Sequence, residues 1–204
     1  MTAGGKTVVE TERKYDVGAA FTLPRFVAAD GVDTVGPSEV HELRATYYDT
    51  SDLRLARAGV ALRRRTGGGD AGWHLKLART LDTRVEIQLP LGPLAALRHV
   101  PPAQLRALVT AHTRGARLRP TATLRTRRIV RRLEAAGGTP SVEIADDHVD
   151  GRLLLGGWRA LSRPQRWREI EAELLAGQPA DLDAVGEALT AAGATPSASG
   201  SKLH

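Results

Sequence analysis

The sequence predicts an α+β fold dominated by about eight antiparallel strands, and two observations support this. Short runs of alternating or β-branched residues recur along the chain, each bounded by turn residues. Gly-rich segments join some neighbouring runs, as at residues 66–70 and 136–139, which is typical of antiparallel hairpins. The predicted strands are Lys6–Lys14, Val40–Asp49, Val60–Arg65, Trp73–Leu77, Thr83–Leu89, Thr121–Leu133, Ser141–Val149 and Arg166–Leu174.

Helical patterns fill the gaps between these strands. Three helices are predicted from apolar residues at helical spacing: Leu23–Ala29, Pro102–His112 and Leu182–Ala192. A short turn of helix is also expected to begin near Ser51, with Asp49 and Thr50 as its capping residues.

Nearly every predicted strand carries charged residues on one face and apolar residues on the other. Because side chains alternate along a strand, Arg63 and Arg65 share a face, and Glu169, Glu171 and Glu173 share another. A flat sheet would turn the charged face to solvent. A sheet closed into a barrel, with its apolar side out under helices, would instead enclose the charges and would need a charged ligand.

The segment Glu10-Thr11-Glu12-Arg13-Lys14 places two carboxylates and an ammonium group on one strand face. One interpretation is a solvated face of an edge strand. The other is a site for a hard cation, because carboxylates bind Mg²⁺ or Mn²⁺ and the lysine can contact an anionic substrate held by the same metal.

Composition narrows the possible chemistry. The 204-residue chain has no cysteine, so any metal must be bound by oxygen or imidazole ligands. It carries 29 Lys and Arg against 23 Asp and Glu, a net charge of +6, and most of the basic residues are arginine, which suits phosphate or nucleic-acid partners. There is no long apolar run and no signal-peptide pattern, so a cytoplasmic protein without a membrane partner is expected.

Taken in order, these motifs resemble the CYTH domain of the triphosphate tunnel metalloenzyme superfamily. The resemblance covers the whole chain, and we therefore expect one domain over residues 1–204. It implies an eight-stranded antiparallel closed β-barrel with flanking helices that binds triphosphate groups. The matching segments are Glu10–Lys14, Tyr47–Thr50, Leu62–Arg65, Trp73–Lys76, Arg84–Glu86, Thr126–Arg128, Glu143–Asp147, Glu169–Glu171 and Ser201–Lys202.

The resemblance also implies roles for particular residues. The phosphate ligands would be Lys14, Arg63, Arg65, Lys76, Arg128 and Lys202. The Mg²⁺ or Mn²⁺ ligands would be Glu10, Glu12, Glu169, Glu171 and Asp147, with Glu86 and Glu143 in support. Three positions have alternatives: Asp146 for Asp147, Glu173 for Glu169, and Arg125 or Arg127 for Arg128 if the strand register shifts by one residue, which would reverse its faces.

The implied reaction is metal-dependent hydrolysis of a triphosphate. Lys14, Glu12 and Glu171 would be the catalytic residues, with the attacking water activated by a second metal or by Lys14. No covalent nucleophile is evident, and the six histidines are scattered without a metal-binding spacing, so no histidine is expected to act as the base.

Several substrates and functions remain open from the sequence. Inorganic tripolyphosphate is favoured, with thiamine or nucleoside triphosphates as alternatives, because few aromatic residues are available to stack on a base. A polyphosphate-binding module with little turnover is the main alternative, and a class IV adenylyl cyclase is a minor one. Nucleic-acid binding fits the basic charge, but the interleaved carboxylates would repel a phosphate backbone.

Overall fold

The structure, a computed structural model, describes residues 4–26, 36–92, 99–134, 138–155 and 160–198. Its strands are β1 (Lys6–Val17), β2 (Glu39–Asp49), β3 (Val60–Thr66), β4 (Gly72–Ala78), β5 (Thr83–Pro90), β6 (Arg119–Glu134), β7 (Pro140–Leu155), β8 (Ala160–Leu161), β9 (Gln165–Leu174) and β10 (Thr195–Pro196). Its helices are α1 (Arg54–Arg57), α2 (Ala103–Leu108), α3 (Thr110–Thr113) and α4 (Pro179–Ala191). All eight predicted strands are present, and β8 and β10 add two residues each.

Eight of the strands close into an antiparallel barrel in the order β1-β5-β4-β3-β2-β6-β7-β9. Closure depends on β1, which pairs with β5 over Lys6–Thr11 and with β9 over Glu12–Val17. Because β9 also pairs with β7, each of the eight barrel strands that the structure describes has a neighbour on both sides. The predicted closed barrel is therefore confirmed, and the flat-sheet alternative is wrong.

Helix α4 covers the outer face of β1, β7 and β9. It starts at Pro179 behind a capping box formed by Gln178 and Asp181. Its apolar stripe of Leu182, Val185 and Leu189 packs on buried side chains of the barrel's outer face: Tyr15, Val142, Ile144, Ile170 and Ala172. The helix approaches closely, because a Cβ at Gly186 would collide with the hydroxyl of Tyr15. The predicted helix at this position is confirmed.

A second apolar layer lies outside β3 and β4, where the short helices α1, α2 and α3 pack. Leu55, Leu105 and Val109 contact the outward residues of these strands, including Leu62, Trp73 and Leu75. Asp49 accepts hydrogen bonds from the backbone N–H groups of Leu55 (2.9 Å) and Ala56 (3.0 Å), so its carboxylate caps the start of α1 as predicted.

Two helix predictions need correction. Residues 23–26 are not helical: Pro24 disfavours the helical conformation of Leu23 before it, and Phe26 is buried in the core beneath α4; the rest of Leu23–Ala29 lies outside the described residues. The predicted helix Pro102–His112 is divided at Val109, whose carbonyl accepts from both His112 (3.1 Å) and Thr113 (3.0 Å). Among the described residues, no helix has the length and apolar character needed to cross a bilayer.

Candidate functional site

The inner face of the barrel surrounds a charged cavity of about 150 Å³. Strand alternation turns one charged row of nearly every barrel strand toward it, because the apolar residues of those strands are buried under the helices on the outside. The charged residues that line it are Glu10, Glu12, Lys14, Arg63, Arg65, Asp70, Lys76, Arg84, Glu86, Arg128, Glu143, Glu171 and Glu173. Part of the interior is apolar instead, where Tyr47, Ala122, Leu124 and Val149 pack together.

Three buried carboxylates converge on the inner faces of β7 and β9. Asp147 lies directly opposite Glu169 in the strand register, and Glu171 is two residues further along β9. One oxygen from each of the three carboxylates lies within 4.8 Å of the others. Clustered carboxylate oxygens suit a hard divalent cation, so these residues fit Mg²⁺ or Mn²⁺.

Two cations of the protein occupy the oxygens of this carboxylate cluster. Arg128 donates two hydrogen bonds to Asp147 (2.8 and 2.6 Å) and also contacts Glu171, while the ammonium of Lys14 lies 2.8 Å from Glu171. Burial opposes the charge of Arg128, but Glu171 and Asp147 outweigh that effect and raise its pKa. A divalent metal at this cluster would therefore compete with Arg128 and Lys14 for the same oxygens.

Glu10 and Glu12 lie in the cavity but outside this three-carboxylate group. The ammonium of Lys76 lies 2.6 Å from Glu10 and 3.8 Å from Glu12, and the buried Arg84 also contacts Glu12. Burial and the neighbouring Glu86 raise the pKa of Glu10 to about 8. Burial opposes ionisation of Glu12 as well, but Lys14 and Lys76 outweigh it and lower its pKa.

The other side of the cavity presents Arg63 and Arg65 on β3. No carboxylate of the described residues lies within 4 Å of Arg63, whose guanidinium instead meets the hydroxyl of Tyr47 at 3.5 Å. Arg65 contacts Asp70, and the buried Nε atoms of both arginines have no hydrogen-bond partner. Burial, followed by the like charges of Arg63 and Arg128, lowers the pKa of Arg65 to about 9. Arginines held together under such repulsion favour binding of an anion.

Glu86, predicted as a supporting residue, links two basic side chains in the wall. Its carboxylate contacts Nδ1 of His74 and lies 3.3 Å from the ammonium of Lys76. Burial opposes ionisation of Glu86, but the contacts with His74, Glu10 and Lys76 outweigh it and lower its pKa well below the ordinary value. Burial likewise lowers the pKa of His74 to about 4. Both ring nitrogens of His74 nevertheless face oxygen atoms, so the geometry requires a proton between His74 and Glu86.

The strand faces separate the alternative residues that the sequence left open. Asp147 faces the interior, whereas Asp146 faces outward and binds Arg168 through two hydrogen bonds of 2.9 Å. Arg128 also faces inward, whereas Arg127 is exposed near Glu42.

Glu169 and Glu173 both face inward, and only Glu169 belongs to the three-carboxylate group. Glu143 lines the cavity and accepts a 3.0 Å hydrogen bond from Arg132. Lys202 lies outside the described residues.

The structure adds site residues to which sequence reasoning assigned no role there. Arg84 and His74 are buried among the charged rows, although neither was counted as a site residue. Alternation does place Arg84 on the face of Glu86 and His74 on the face of Lys76, and this is the signal that could have found them. Trp167 donates a 2.8 Å hydrogen bond to Glu169, so this tryptophan orients a carboxylate of the cluster. Lys14 and Trp167 also line a larger cavity of about 1290 Å³ beside the site.

Comparisons with known proteins agree with this architecture. Residues 9–204 match the family model described as the CYTH domain. Two Mycobacterium tuberculosis proteins described as uncharacterised, MT2285 of strain CDC 1551 and Rv2226 of strain H37Rv, are 38% identical to the chain over 205 residues. The alignments cover 96% of this chain and 39% of each relative, so the chain spans about two-fifths of their length.

Solved structures share the fold at low sequence identity. A Bacillus halodurans protein described as a candidate adenylate cyclase superposes with a TM-score of 0.62 at 18% identity, covering 97% of this chain and 96% of that one. HpAC1 from Hippeastrum, described as a candidate adenylyl cyclase with a dominant triphosphatase activity, gives 0.52 at 17% identity, with 95% and 92% covered. With the family model matching nearly the whole sequence, the chain belongs to the CYTH domain family.

Proposed function

We propose that the protein hydrolyses a triphosphate inside the barrel with the help of a divalent metal. The observation that carries this proposal is that Arg63 and Arg65 line the same charged cavity as Glu171, which forms the three-carboxylate group together with Asp147 and Glu169. The first group fits phosphate oxygens, and the second fits Mg²⁺ or Mn²⁺. Membership of the CYTH family supports the same function.

Each charged group would have a defined part in substrate binding. Arg63 and Arg65 would bind phosphate oxygens directly, because Arg63 has no carboxylate partner among the described residues. Lys14, Lys76 and Arg128 would contribute further positive charge, and Lys202 is proposed to close the site. Asp147, Glu169 and Glu171 would hold the metal, Glu10 and Glu12 would hold a second ion, and Glu86 and Glu143 would orient the basic residues.

In the proposed reaction, water attacks the terminal phosphorus, the phosphoanhydride bond breaks, and the leaving oxygen departs on the diphosphate. A bound divalent metal would neutralise charge on the phosphate oxygens and would make a water molecule a better nucleophile. Lys14 lies 2.8 Å from Glu171 and 3.6 Å from Glu12, so its ammonium is fixed between two carboxylates beside the phosphate-binding residues. We assign Lys14 the placing of the attacking water, and Glu12 or Glu171 the acceptance of its proton.

Inorganic tripolyphosphate is the favoured substrate, with thiamine or nucleoside triphosphates as alternatives. The charged cavity of about 150 Å³ suits a compact, highly charged group. A cyclase reaction on ATP is the second candidate, because HpAC1 is described both as a candidate adenylyl cyclase and as having triphosphatase activity. A polyphosphate-binding module without turnover is the third. The cytoplasmic location and the single domain over residues 1–204 stay predictions.

The test is phosphate release from tripolyphosphate, thiamine triphosphate and ATP, each with EDTA, Mg²⁺ or Mn²⁺. We expect metal-dependent release of phosphate, with tripolyphosphate as the best substrate, and its loss in Glu12→Gln without a change in fold. Full activity of Glu12→Gln would contradict the assignment of Glu12. Release of diphosphate and cyclic AMP from ATP would favour a cyclase, and tight binding without any release would favour the binding module.

A further inference from the structure

His74 is a fully buried histidine whose two ring nitrogens connect different parts of the charged interior. Its Nε2 lies 2.9 Å from the backbone carbonyl oxygen of Asp70, and its Nδ1 contacts a carboxylate oxygen of Glu86. A carbonyl oxygen can only accept, so the ring donates from Nε2. Both ring nitrogens of His74 therefore contact oxygen atoms of the protein, and neither is available to bind water.

Each of the two contacts leads to a cation of the cavity. Asp70 lies in the Gly-rich turn between β3 and β4, and its carboxylate contacts Arg65. Glu86 carries its other oxygen 3.3 Å from the ammonium of Lys76. Asp70 thus links His74 to Arg65 on one side of the imidazole ring, and Glu86 links His74 to Lys76 on the other.

This bridge is not explained by packing. Asp70 lies between β3 and β4, outside the paired residues of either strand, so the ladder of the barrel does not fix the position of its carbonyl. Leucine, isoleucine or valine would fill the space of His74, but these side chains could not donate to a carbonyl and share a proton with a carboxylate. A buried side chain with two directional bonds instead restricts where its partners can lie.

We propose that His74 is a positioning residue that holds Arg65 and Lys76 in place for phosphate binding, through Asp70 and Glu86 respectively. The inference rests on the proposed function, in which both cations contact the triphosphate. It assigns His74 no contact with the substrate and no proton transfer in the reaction.

Three substitutions separate the two arms of the bridge. In His74→Asn the amide nitrogen can replace Nδ1, which keeps the arm to Glu86 and removes the arm to Asp70. In His74→Gln the amide nitrogen can replace Nε2, which keeps the arm to Asp70 and removes the arm to Glu86. His74→Phe removes both, and His112→Asn, at an exposed histidine of α3, is the matched control.

The measurement is the Kd of tripolyphosphate by titration calorimetry in EDTA, with thermal unfolding of every variant. We expect about tenfold weaker binding for His74→Asn and for His74→Gln, a larger loss for His74→Phe, and no change for His112→Asn. In double-mutant cycles, His74→Asn should add nothing on an Arg65→Gln background, and His74→Gln should add nothing on a Lys76→Gln background. A purely structural role would lower stability in all variants without this pairing of effects.

Equal Kd values for wild type and all His74 variants would overturn the inference while leaving the proposed function intact. Failure of the wild type to bind tripolyphosphate would overturn the proposed function. The positioning of Arg65 and Lys76 by His74 would then be tested by NMR on the protein without ligand. The Arg65 Nε–H resonance should shift in His74→Asn and the Lys76 side-chain resonance in His74→Gln. If the Arg65 and Lys76 resonances were unchanged in His74→Phe, this result alone would overturn the positioning role of His74.

Discussion

Arg128 and Arg127 are adjacent arginines that point to opposite sides of β6. Arg128 reaches two buried carboxylates of the interior, whereas Arg127 lies at the surface near Glu42. We expect Arg128→Gln to weaken tripolyphosphate binding by about tenfold or more, because a charge-assisted contact contributes about 1.5–3 kcal/mol. The Kd of tripolyphosphate measured by calorimetry in EDTA, where no metal-dependent hydrolysis takes place, checks this expectation.

The matched control is Arg127→Gln, which removes the same charge from the neighbouring position. Its Kd should stay within about twofold of wild type, because an exposed charge is screened by water and salt. If both variants lost affinity equally, net charge rather than the inward position of Arg128 would explain binding, and the assignment of the inner face of β6 would be wrong.

Glu173 lies directly opposite Glu12 on one side and Glu143 on the other, so three carboxylates meet across β1, β9 and β7. Burial, together with Glu12, Glu143 and Glu171, raises the pKa of Glu173 to about 7. The folded protein therefore keeps this proton up to about pH 7, whereas the unfolded chain loses it near the ordinary pKa of 4.5. Stability due to Glu173 must fall as pH rises through this window.

We therefore expect Glu173→Gln to raise the Tm relative to wild type at pH 8.5, and to raise it much less at pH 5. The amide resembles the protonated carboxyl and carries no charge at either pH, so it removes the repulsion that wild type acquires on deprotonation. Thermal unfolding at both pH values measures the difference. A gain in Tm of the same size at pH 5 and pH 8.5 would show that the gain comes from the shape of the glutamine side chain and not from the ionisation of Glu173.

At the scale of the elements, the pairing of β7 with β9 creates the three-carboxylate cluster. Neither strand supplies it alone, since Asp147 comes from β7 and Glu169 and Glu171 come from β9. We expect Mg²⁺ or Mn²⁺ to raise the Tm of the wild type and Asp147→Asn to lose most of this rise, because an amide is a poorer ligand for a hard cation. A metal concentration of about one hundred times Kd stabilises a folded protein by about 2.7 kcal/mol, which a thermal shift readily detects.

Asp146→Asn is the control for this metal experiment, because Asp146 is the adjacent aspartate on the outer face of β7 and binds Arg168. Loss of the Asp146 carboxylate and its contact with Arg168 should lower the Tm of the protein but leave the metal-induced rise in Tm unchanged. A metal-induced rise that survived Asp147→Asn and disappeared in Asp146→Asn would place the metal on the outer face.

The faces of the strands could be predicted from the sequence because alternation is a local property. Glu10, Glu12 and Lys14 point inward together, as do Arg63 and Arg65, and this required only the period of two. Five of the eight barrel pairings join barrel strands that follow one another along the chain, so hairpin patterning could predict them, whereas β1 with β5, β2 with β6 and β1 with β9 join distant strands.

The contacts within the site could not be predicted, because they depend on the register between paired strands, which alternation within one strand does not fix. Arg84 meets Glu12, 72 positions earlier in the sequence, only because β5 pairs with β1, and His74 meets Glu86 only through the register of β4 against β5. Likewise, Glu10 and Glu12 lie apart from the three-carboxylate group, although the sequence assigned all five carboxylates to metal. Alternation assigns a face to a residue, but it does not say which residue lies opposite.

At the scale of the whole molecule, closure of the barrel removes charged groups from water. Opposite charges compensate most of them, as in the contacts of Arg128, Lys14 and Lys76 with carboxylates. Compensation is weaker at the Arg63 and Arg65 pair: among the described residues no carboxylate lies within 4 Å of Arg63, and burial and the like charges of Arg63 and Arg128 lower the pKa of Arg65 to about 9 although it contacts Asp70. The protein without a ligand therefore keeps a free-energy cost in its interior that an anion can relieve.

We expect tripolyphosphate to raise the Tm in EDTA, without any metal, and to raise it more than sulfate at the same ionic strength. The reason is that several phosphate oxygens can contact both arginines at once, whereas general screening acts equally for both anions. The rise should weaken above about pH 9, because the pKa of Arg65 is lowered to about 9 and the neutral side chain no longer attracts the anion. Thermal unfolding at pH 7.5 and pH 10 measures this change.

The double variant Arg63→Gln, Arg65→Gln separates this effect from salt screening. It should show the same small response to tripolyphosphate and sulfate, because the two guanidinium groups that are proposed to contact several phosphate oxygens at once are gone. A double variant that is destabilised and still responds selectively to tripolyphosphate would mean that other cations of the barrel bind the anion. Since Arg63 and Arg65 would then not be needed to bind the anion, the link between the charged interior and triphosphate recognition at β3 would have to be abandoned.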